Sequence, residues 1–293
     1  MTGNLIHPAT RIGTVHLTVA DLDRARRFYE TTLGFRALPG GGSELLLGAD
    51  DVPLLALTAR PGARPKPAHA TGLYHFAILV PDRRSLARSL RRLAEQGYPL
   101  GGASDHGVSE ALYLSDPDEN GIEIYRDRPR DAWPRDPDGN LAMVTQPLDL
   151  RDLLAAGDAT WDGLAAGTRI GHIHLHVADL AAAEEFYCGT LGFELMQHYG
   201  HSAAFVSAGG YHHHIGLNTW AGMGAPPPPD DTAGLRYVEV VLPDAAEVER
   251  VVARAAAAGF AGERQGGGVL LRDPSHNGVL LVAAAARQPP GPP

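Results

Sequence analysis

At 293 residues, with 44% apolar and 20% charged residues, the chain is long enough to bury two cores and has the composition of a globular protein rather than a disordered one. Its net charge of −9 opposes a nucleic acid or other polyanion as partner, and its one cysteine, Cys188, excludes an internal disulfide or a CxxC motif. No apolar run approaches the roughly 18–20 residues that span a bilayer, and the opening MTGNLIHPATRIG lacks the basic-then-apolar pattern of a leader, so a cytoplasmic protein without a membrane partner is expected.

In chain order, the first unit opens with alternation of strand type, Val15, Leu17 and Val19 against His16 and Thr18. The period changes at Asp21, which has the character of a helix N-cap. Leu22, Ala25, Phe28, Tyr29 and Leu33 follow at helical spacing, and Gly34 stands where a helix ends in a left-handed residue. The second unit begins with GLYHFAILVPD at 72–82, runs into a helical stretch, and ends at the turn Asp116 to Gly121. Within that helix Arg83, Arg84, Arg88, Arg91 and Arg92 are read as a solvated face. Residues 129–168, with Pro129, Trp133, Pro134 and Pro137, read as a linker containing a short helix near Asp149 to Ala156.

The third unit repeats the first. GHIHLHVADLAAAEEFYCGTLGF at 171–193 aligns without gaps to 13–35 and shares 14 of 23 residues, with Asp179 as the matching cap. The fourth unit repeats the second, from GLRYVEVVLPD at 234–244 to the turn Asp273 to Gly278. The chain therefore divides into an N-terminal domain at 1–128 holding units one and two, the linker, a C-terminal domain at 169–285 holding units three and four, and a Pro-rich tail at 286–293.

Four units with HLTVADL…FYxxxLGF openings and a DPxxNGIEIY ending resemble the vicinal oxygen chelate superfamily, which includes glyoxalase I, bleomycin- and fosfomycin-resistance proteins and extradiol dioxygenases. The resemblance implies an α+β fold in which four βαβββ modules pair into two half-open barrels. The stretch from His106 through Tyr113 to Glu123 is similar to the signature of two-domain type I extradiol ring-cleaving dioxygenases, departing from it at Glu119, where Gly is usual. The run Tyr211-His-His-His-Ile-Gly-Leu217 resembles their His-His-x-Leu-Ala-Phe strand and places His213 on the acid–base histidine. Strand alternation would put His212 and His214 on one face and His213 on the other.

By that resemblance the metal ligands are opening-strand histidines of two paired modules and the Glu of a last strand. Candidates are His16 from the first unit, His75 and Glu123 from the second and His174 from the third. The fourth unit offers none, having Tyr237, Leu270 and Leu280 where the second has His75, Tyr113 and Glu123. One complete site follows, built on His75 and Glu123, with His16 or His174 as third ligand. His174 is favoured because His213 lies in its unit while the first unit has Leu54, Leu55 and Leu57 in the corresponding region. That choice pairs unit two with unit three. A linker of about 40 residues permits the exchange, since at roughly 3.3 Å per residue it reaches beyond 100 Å.

Two imidazoles and a carboxylate on one face of an octahedron suit non-haem Fe(II), with Mn(II) as the alternative occupant. The resemblance then implies extradiol cleavage of a catechol or hydroquinone-type aromatic with O2. His213 would act as proton-transfer group titrating near neutrality, with His106 and Tyr113 donating hydrogen bonds to substrate oxygens. Alternative readings are a glyoxalase-like lyase or isomerase, for which the second Glu is missing, and a non-enzymatic binding protein of the bleomycin-resistance kind. The sequence leaves a homo-oligomer open.

Overall fold

A computed structural model describes residues 5–40 and 42–284; the Pro-rich tail lies outside them. The first unit comprises β1 (Arg11–Val19), α1 (Leu22–Arg27), β2 (Arg36–Leu38), β3 (Leu45–Ala49) and β4 (Val52–Ala59), and the second β5 (Gly72–Leu79), α2 (Arg83–Glu95), β6 (Gly102–Asp105), β7 (Ser109–Ser115) and β8 (Gly121–Asp127). The linker contributes β9 (Gln146–Pro147) and α3 (Leu150–Ala155). The third unit comprises β10 (Arg169–His176), α4 (Leu180–Glu184), β11 (Glu194–Tyr199), β12 (Ala203–Ser207) and β13 (Ile215–Asn218). The fourth comprises β14 (Gly234–Leu242), α5 (Ala245–Ala257), β15 (Glu263–Gln265), β16 (Gly268–Arg272) and β17 (Gly278–Ala283).

Local chemistry sets these boundaries. Asp21 and Asp179 each accept a backbone N–H from the first helical turn, Arg24 and Ala182 respectively, and Asp82 and Asp244 cap α2 and α5 in the same way. Past α1 and α4 the helix widens into a π-turn, Phe28–Thr32 and Glu185–Thr190. Each π-turn places a fully buried tyrosine against the next unit's turn: the Tyr29 hydroxyl donates to Asp116 at 2.8 Å and the Tyr187 hydroxyl to Asp273 at 3.1 Å. Asp116 also accepts the backbone N–H of Asp118 and Asn120 and the Asn120 amide, which holds Glu119 in the left-handed region at φ 67°. That conformation explains why Gly is usual there, and the turn's hydrogen bonds offset its cost of roughly 1–2 kcal/mol.

The units pair across the halves. One sheet runs β15-β16-β17-β14-β1-β4-β3-β2, joining units four and one, and the other runs β11-β12-β13-β10-β5-β8-β7-β6-β9, joining units three and two. The central contacts are antiparallel, β1 with β14 and β5 with β10, and both sheets curl into half-barrels. Alternation along β5, β8 and β10 sends Phe76, Ile78, Ile122, Ile124, Ile173 and Leu175 into the shared core, each essentially inaccessible. Burial of each such side chain contributes about 1.5–3 kcal/mol. The opposite face carries His75, Glu123, His172 and His174.

Apart from Arg84, which is exposed, the α2 arginines are not a solvated face. Arg83 bonds Asp152, Arg88 makes a two-pronged pair with Asp158, and Arg91 reaches the Leu154 carbonyl, so this helix straps the linker down. Arg83 also clasps the buried Glu110 together with Arg126 and Arg128. No helix among the described residues is long and apolar enough to cross a membrane.

Candidate metal centre

The two barrels differ inside. In the barrel of units one and four, Tyr237, Leu270 and Leu280 form a small apolar cluster at the positions matching His75, Tyr113 and Glu123. His16 stacks on Tyr237 at 4.1 Å and contacts Glu239 and Glu44. It belongs to a plugged barrel, far from His75 in the topology.

The barrel of units two and three holds the polar cluster. His75, Glu123 and His172 are all buried, with ligand atoms within 4.8 Å of one another, and among the described residues no other His, Cys, Asp and Glu side chains form such a group. His75 Nε2 and His172 Nε2 each lie 3.0 Å from the same oxygen, Glu123 Oε2. Ligands about 2.1 Å from a first-row divalent ion at right angles stand about 3 Å apart, so these edges fit a metal. His75 Nε2 supports the fit: it is buried and, despite its closeness to Glu123, has no well-directed hydrogen bond.

The structure thus groups His172, and not the expected His174, with His75 and Glu123. His174 lies two residues further along β10, opposite His75 in register, with its ring 5.1 Å from His75 and 5.4 Å from Trp220 and its Nε2 buried without a partner. It lines the cavity instead of joining the cluster. The sequence did carry the distinguishing signal. His75 stands seven residues before its capping aspartate, Asp82, and His172 stands seven before Asp179, whereas His174 stands five. Matching the identical histidines of units one and three hid this, because Thr14, not His16, corresponds to His172.

Protonation follows from burial and neighbours. Burial opposes the Glu123 charge, but His172 and then His75 hold its carboxyl well below the ordinary range. Burial lowers His172 to about 4 against the pull of Glu123, so at neutral pH the cluster presents a carboxylate and neutral imidazole, the forms that bind metal. Tyr113 faces Glu123 across β7 and β8, and burial followed by the Glu123 charge keeps its phenol well above its usual value.

A cavity of about 730 Å³ opens onto His75 and Glu123 and is lined further by His106, Tyr113, His174 and His213. His106 Nδ1 lies 2.8 Å from the Val144 carbonyl and Nε2 lies 2.7 Å from the Tyr113 hydroxyl. A carbonyl only accepts, so His106 donates from Nδ1, and in the Nδ1–H tautomer its Nε2 receives the Tyr113 hydroxyl. The Tyr113 proton is thus engaged by His106 in this arrangement and does not point to a substrate.

Tyr211 to His214 is not strand, since β13 starts at Ile215, and the expected alternation fails: His212, His213 and His214 are all buried. His214 Nδ1 turns away to Ser207 and the Ala208 N–H. His213 lies over His172, ring centroids 4.1 Å apart, at the cavity wall. Burial, followed by His172, holds it well below the usual histidine value rather than near neutrality.

Comparison with known proteins agrees with this architecture. The family described as Glyoxalase/Bleomycin resistance protein/Dioxygenase superfamily matches residues 11–124 and 169–281. A protein of Bacillus subtilis (strain 168) named Catechol-2,3-dioxygenase is 50% identical over 273 residues, 92% of this chain and 95% of its own length. Among solved structures, a putative dioxygenase from Bacillus subtilis subsp. subtilis str. 168 matches with a TM-score of 0.66 at 15% identity, over 96% of this chain and 86% of that one. Glyoxalase I from Zea mays matches with a TM-score of 0.58 at 18% identity, over 94% and 92%. At those identities the structural likeness is one of fold alone. With both repeats matched and a half-identical relative spanning nearly the whole chain, this protein belongs to the glyoxalase/bleomycin resistance protein/dioxygenase superfamily.

Proposed function

We propose that this chain is an Fe(II)-dependent extradiol dioxygenase that opens the ring of a catechol-type aromatic with O2, and that His75, Glu123 and His172 hold the ion. The observation that carries the reading is the meeting of two imidazoles and one carboxylate, two of which, His75 and Glu123, open onto a cavity whose wall presents a neutral histidine, His213. A facial pair of histidines with a carboxylate is the donor set of non-haem Fe(II) oxygenases, and it leaves positions for both oxygens of a diol and for dioxygen. When bound, the ion supplies a redox-active Lewis acid that brings diol and O2 together.

The chain supplies placement and proton handling. His213 accepts a proton from a diol hydroxyl at the cavity wall, and its depressed basicity lets it return that proton readily as the ring opens. The Tyr113 oxygen, its proton held by His106, offers lone pairs to the remaining substrate hydroxyl. Phe205, Tyr74 and Trp220 surround His174 and give the aromatic ring an apolar seat.

The test is metal analysis of the purified protein, followed by oxygen uptake with catechol and the appearance of a ring-opened semialdehyde absorbance. One Fe(II) per chain with stoichiometric oxygen consumption supports the reading. A metal-loaded protein that consumes no oxygen with any catechol, and instead isomerises a glutathione hemithioacetal, would replace it with the glyoxalase-like one.

A further inference from the structure

Behind His213, on the side away from the cavity, lies a buried polar chain. His213 Nδ1 is 2.8 Å from His212 Nδ1, and His212 Nε2 is 2.9 Å from Asp127 Oδ1. His212 is wholly inaccessible, and neither it nor Asp127 lines the cavity. Asp127 follows Glu123 at the end of β8, while the two histidines precede β13, so the contact exists only because units two and three share a barrel. The Tyr211 hydroxyl, itself 2.7 Å from the Tyr125 hydroxyl, donates to Asp127, with 3.1 and 3.0 Å to the two oxygens. Trp133 packs edge-on to His212 at 5.4 Å.

With both rings in their neutral form, hydrogen-bond logic orders the protons along this chain. An ionised carboxylate only accepts, so His212 carries its proton on Nε2. Its Nδ1 is then a lone pair, and the short contact to His213 Nδ1 requires His213 to be the donor. His213 consequently has no proton on Nε2. Its ring cannot turn over freely, being held between His172 at 4.1 Å and Phe205 at 4.9 Å.

We infer that Asp127 and His212 are positioning residues that lock His213 in the Nδ1–H tautomer, so that an Nε2 lone pair faces the cavity as the proton acceptor. The arrangement follows the general pattern of a base oriented by a third group, with an imidazole interposed between carboxylate and base. It rests on the extradiol reading for what His213 does, but not for which tautomer it holds.

Asp127→Asn inverts the chain at nearly constant shape. The amide oxygen keeps the Tyr211 hydroxyl and the amide NH2 turns to His212 Nε2, which moves the His212 proton to Nδ1 and the His213 proton to Nε2. The experiment uses full-length protein labelled with ¹⁵N-histidine, loaded with diamagnetic Zn(II), and long-range ¹⁵N–¹H correlation, with His212→Gln and His213→Gln assigning the two rings. Wild type should show His212 as the Nε2–H and His213 as the Nδ1–H tautomer, and Asp127→Asn should exchange them. In the Fe(II) enzyme the same variant should lose about 10²-fold in kcat, the lower range for a general base, while metal content and KM for catechol stay within about twofold. A wild-type His213 already protonated on Nε2, or tautomers and kcat unmoved in Asp127→Asn, overturns the inference. Should the variant not fold, the wild-type spectrum decides alone. The expected tautomers in a protein inert towards every catechol would uphold the relay and refute the extradiol reading.

Discussion

Replacing His172 and His174 in turn separates metal ligation from cavity lining with two neighbours on one strand face. Structural zinc sites with four ligands bind with about 10–16 kcal/mol, or roughly 3 kcal/mol per ligand, and about 1.4 kcal/mol is tenfold in affinity. His172→Ala should therefore weaken divalent-metal binding by at least roughly 10²-fold. In the metal-free protein it also strips Glu123 of the one imidazole that makes a well-directed bond to it, at 3.0 Å, and a buried acceptor left short of a partner costs about 1–3 kcal/mol. His174→Ala removes a ring whose Nε2 is already unpartnered, so the relief of that nitrogen offsets much of the lost packing and all three donors remain. Calorimetric titration of the apoproteins with Fe(II) under anaerobic conditions, alongside chemical denaturation, reads both effects. Metal retained at wild-type affinity by His172→Ala and lost from His174→Ala would refute the spacing argument and restore His174 as ligand.

Three further outcomes are expected. His213→Phe should keep its metal and lose about 10²- to 10⁴-fold in turnover, as for removal of a general base; loss of metal on elemental analysis would make His213 a ligand instead. Trp220→Ala, which opens a half-exposed rim where the indole meets Tyr74 edge-on at 5.2 Å, should raise KM for catechol roughly 2- to 10-fold in an oxygen-uptake assay while metal content stays unchanged, given about 0.5–1.5 kcal/mol per aromatic contact. Burial opposes the Glu110 charge, but Arg126 and Arg83 hold its carboxyl below the ordinary value, so its contribution is present above the unfolded pKa of 4.5 and is lost as pH falls through the depressed folded value. Glu110→Gln should accordingly be less stable than wild type at pH 7, with the gap narrowing below pH 4.5 in urea denaturation; a gap constant from pH 7 to 3 would contradict the clasp.

The fold was legible because the chain says the same thing twice. Gap-free repetition of the FY…LGF openings and the DPxxNG turns gave four units, and the apolar Tyr237, Leu270 and Leu280 of the fourth made a symmetric pair of sites impossible. That asymmetry, with His213 in the third unit, sufficed to choose pairing across the halves. Identity between His16 and His174 points to His174, whereas spacing to the capping aspartate, which fixes a residue's position along a strand feeding a helix, points to His172, the histidine that the fold brings beside His75 and Glu123. Asp127 and His212 gave no sequence signal: they are 85 residues apart and meet only through the barrel. The α2 arginines were misread since their partners Asp152 and Asp158 lie in a linker without periodicity.

Pairing across the halves also has a bearing on biosynthesis. When the ribosome has completed β8, the central strands β1 and β5 each still present an unsatisfied hydrogen-bonding edge, because their partners β14 and β10 are not yet made. At about 5–20 residues per second, β14 follows the end of β8 by roughly 6–25 s, long enough for exposed edges of nascent chains to find one another. The Tyr29 bond to Asp116 lies within the early half and can form during that interval, tying units one and two together before either barrel closes. A truncated N-terminal half would carry His75 and Glu123 on an open edge, ready to recruit the β10 of another molecule. The edges of β1 and β5 that the later half covers are therefore left open until β14 and β10 have been made.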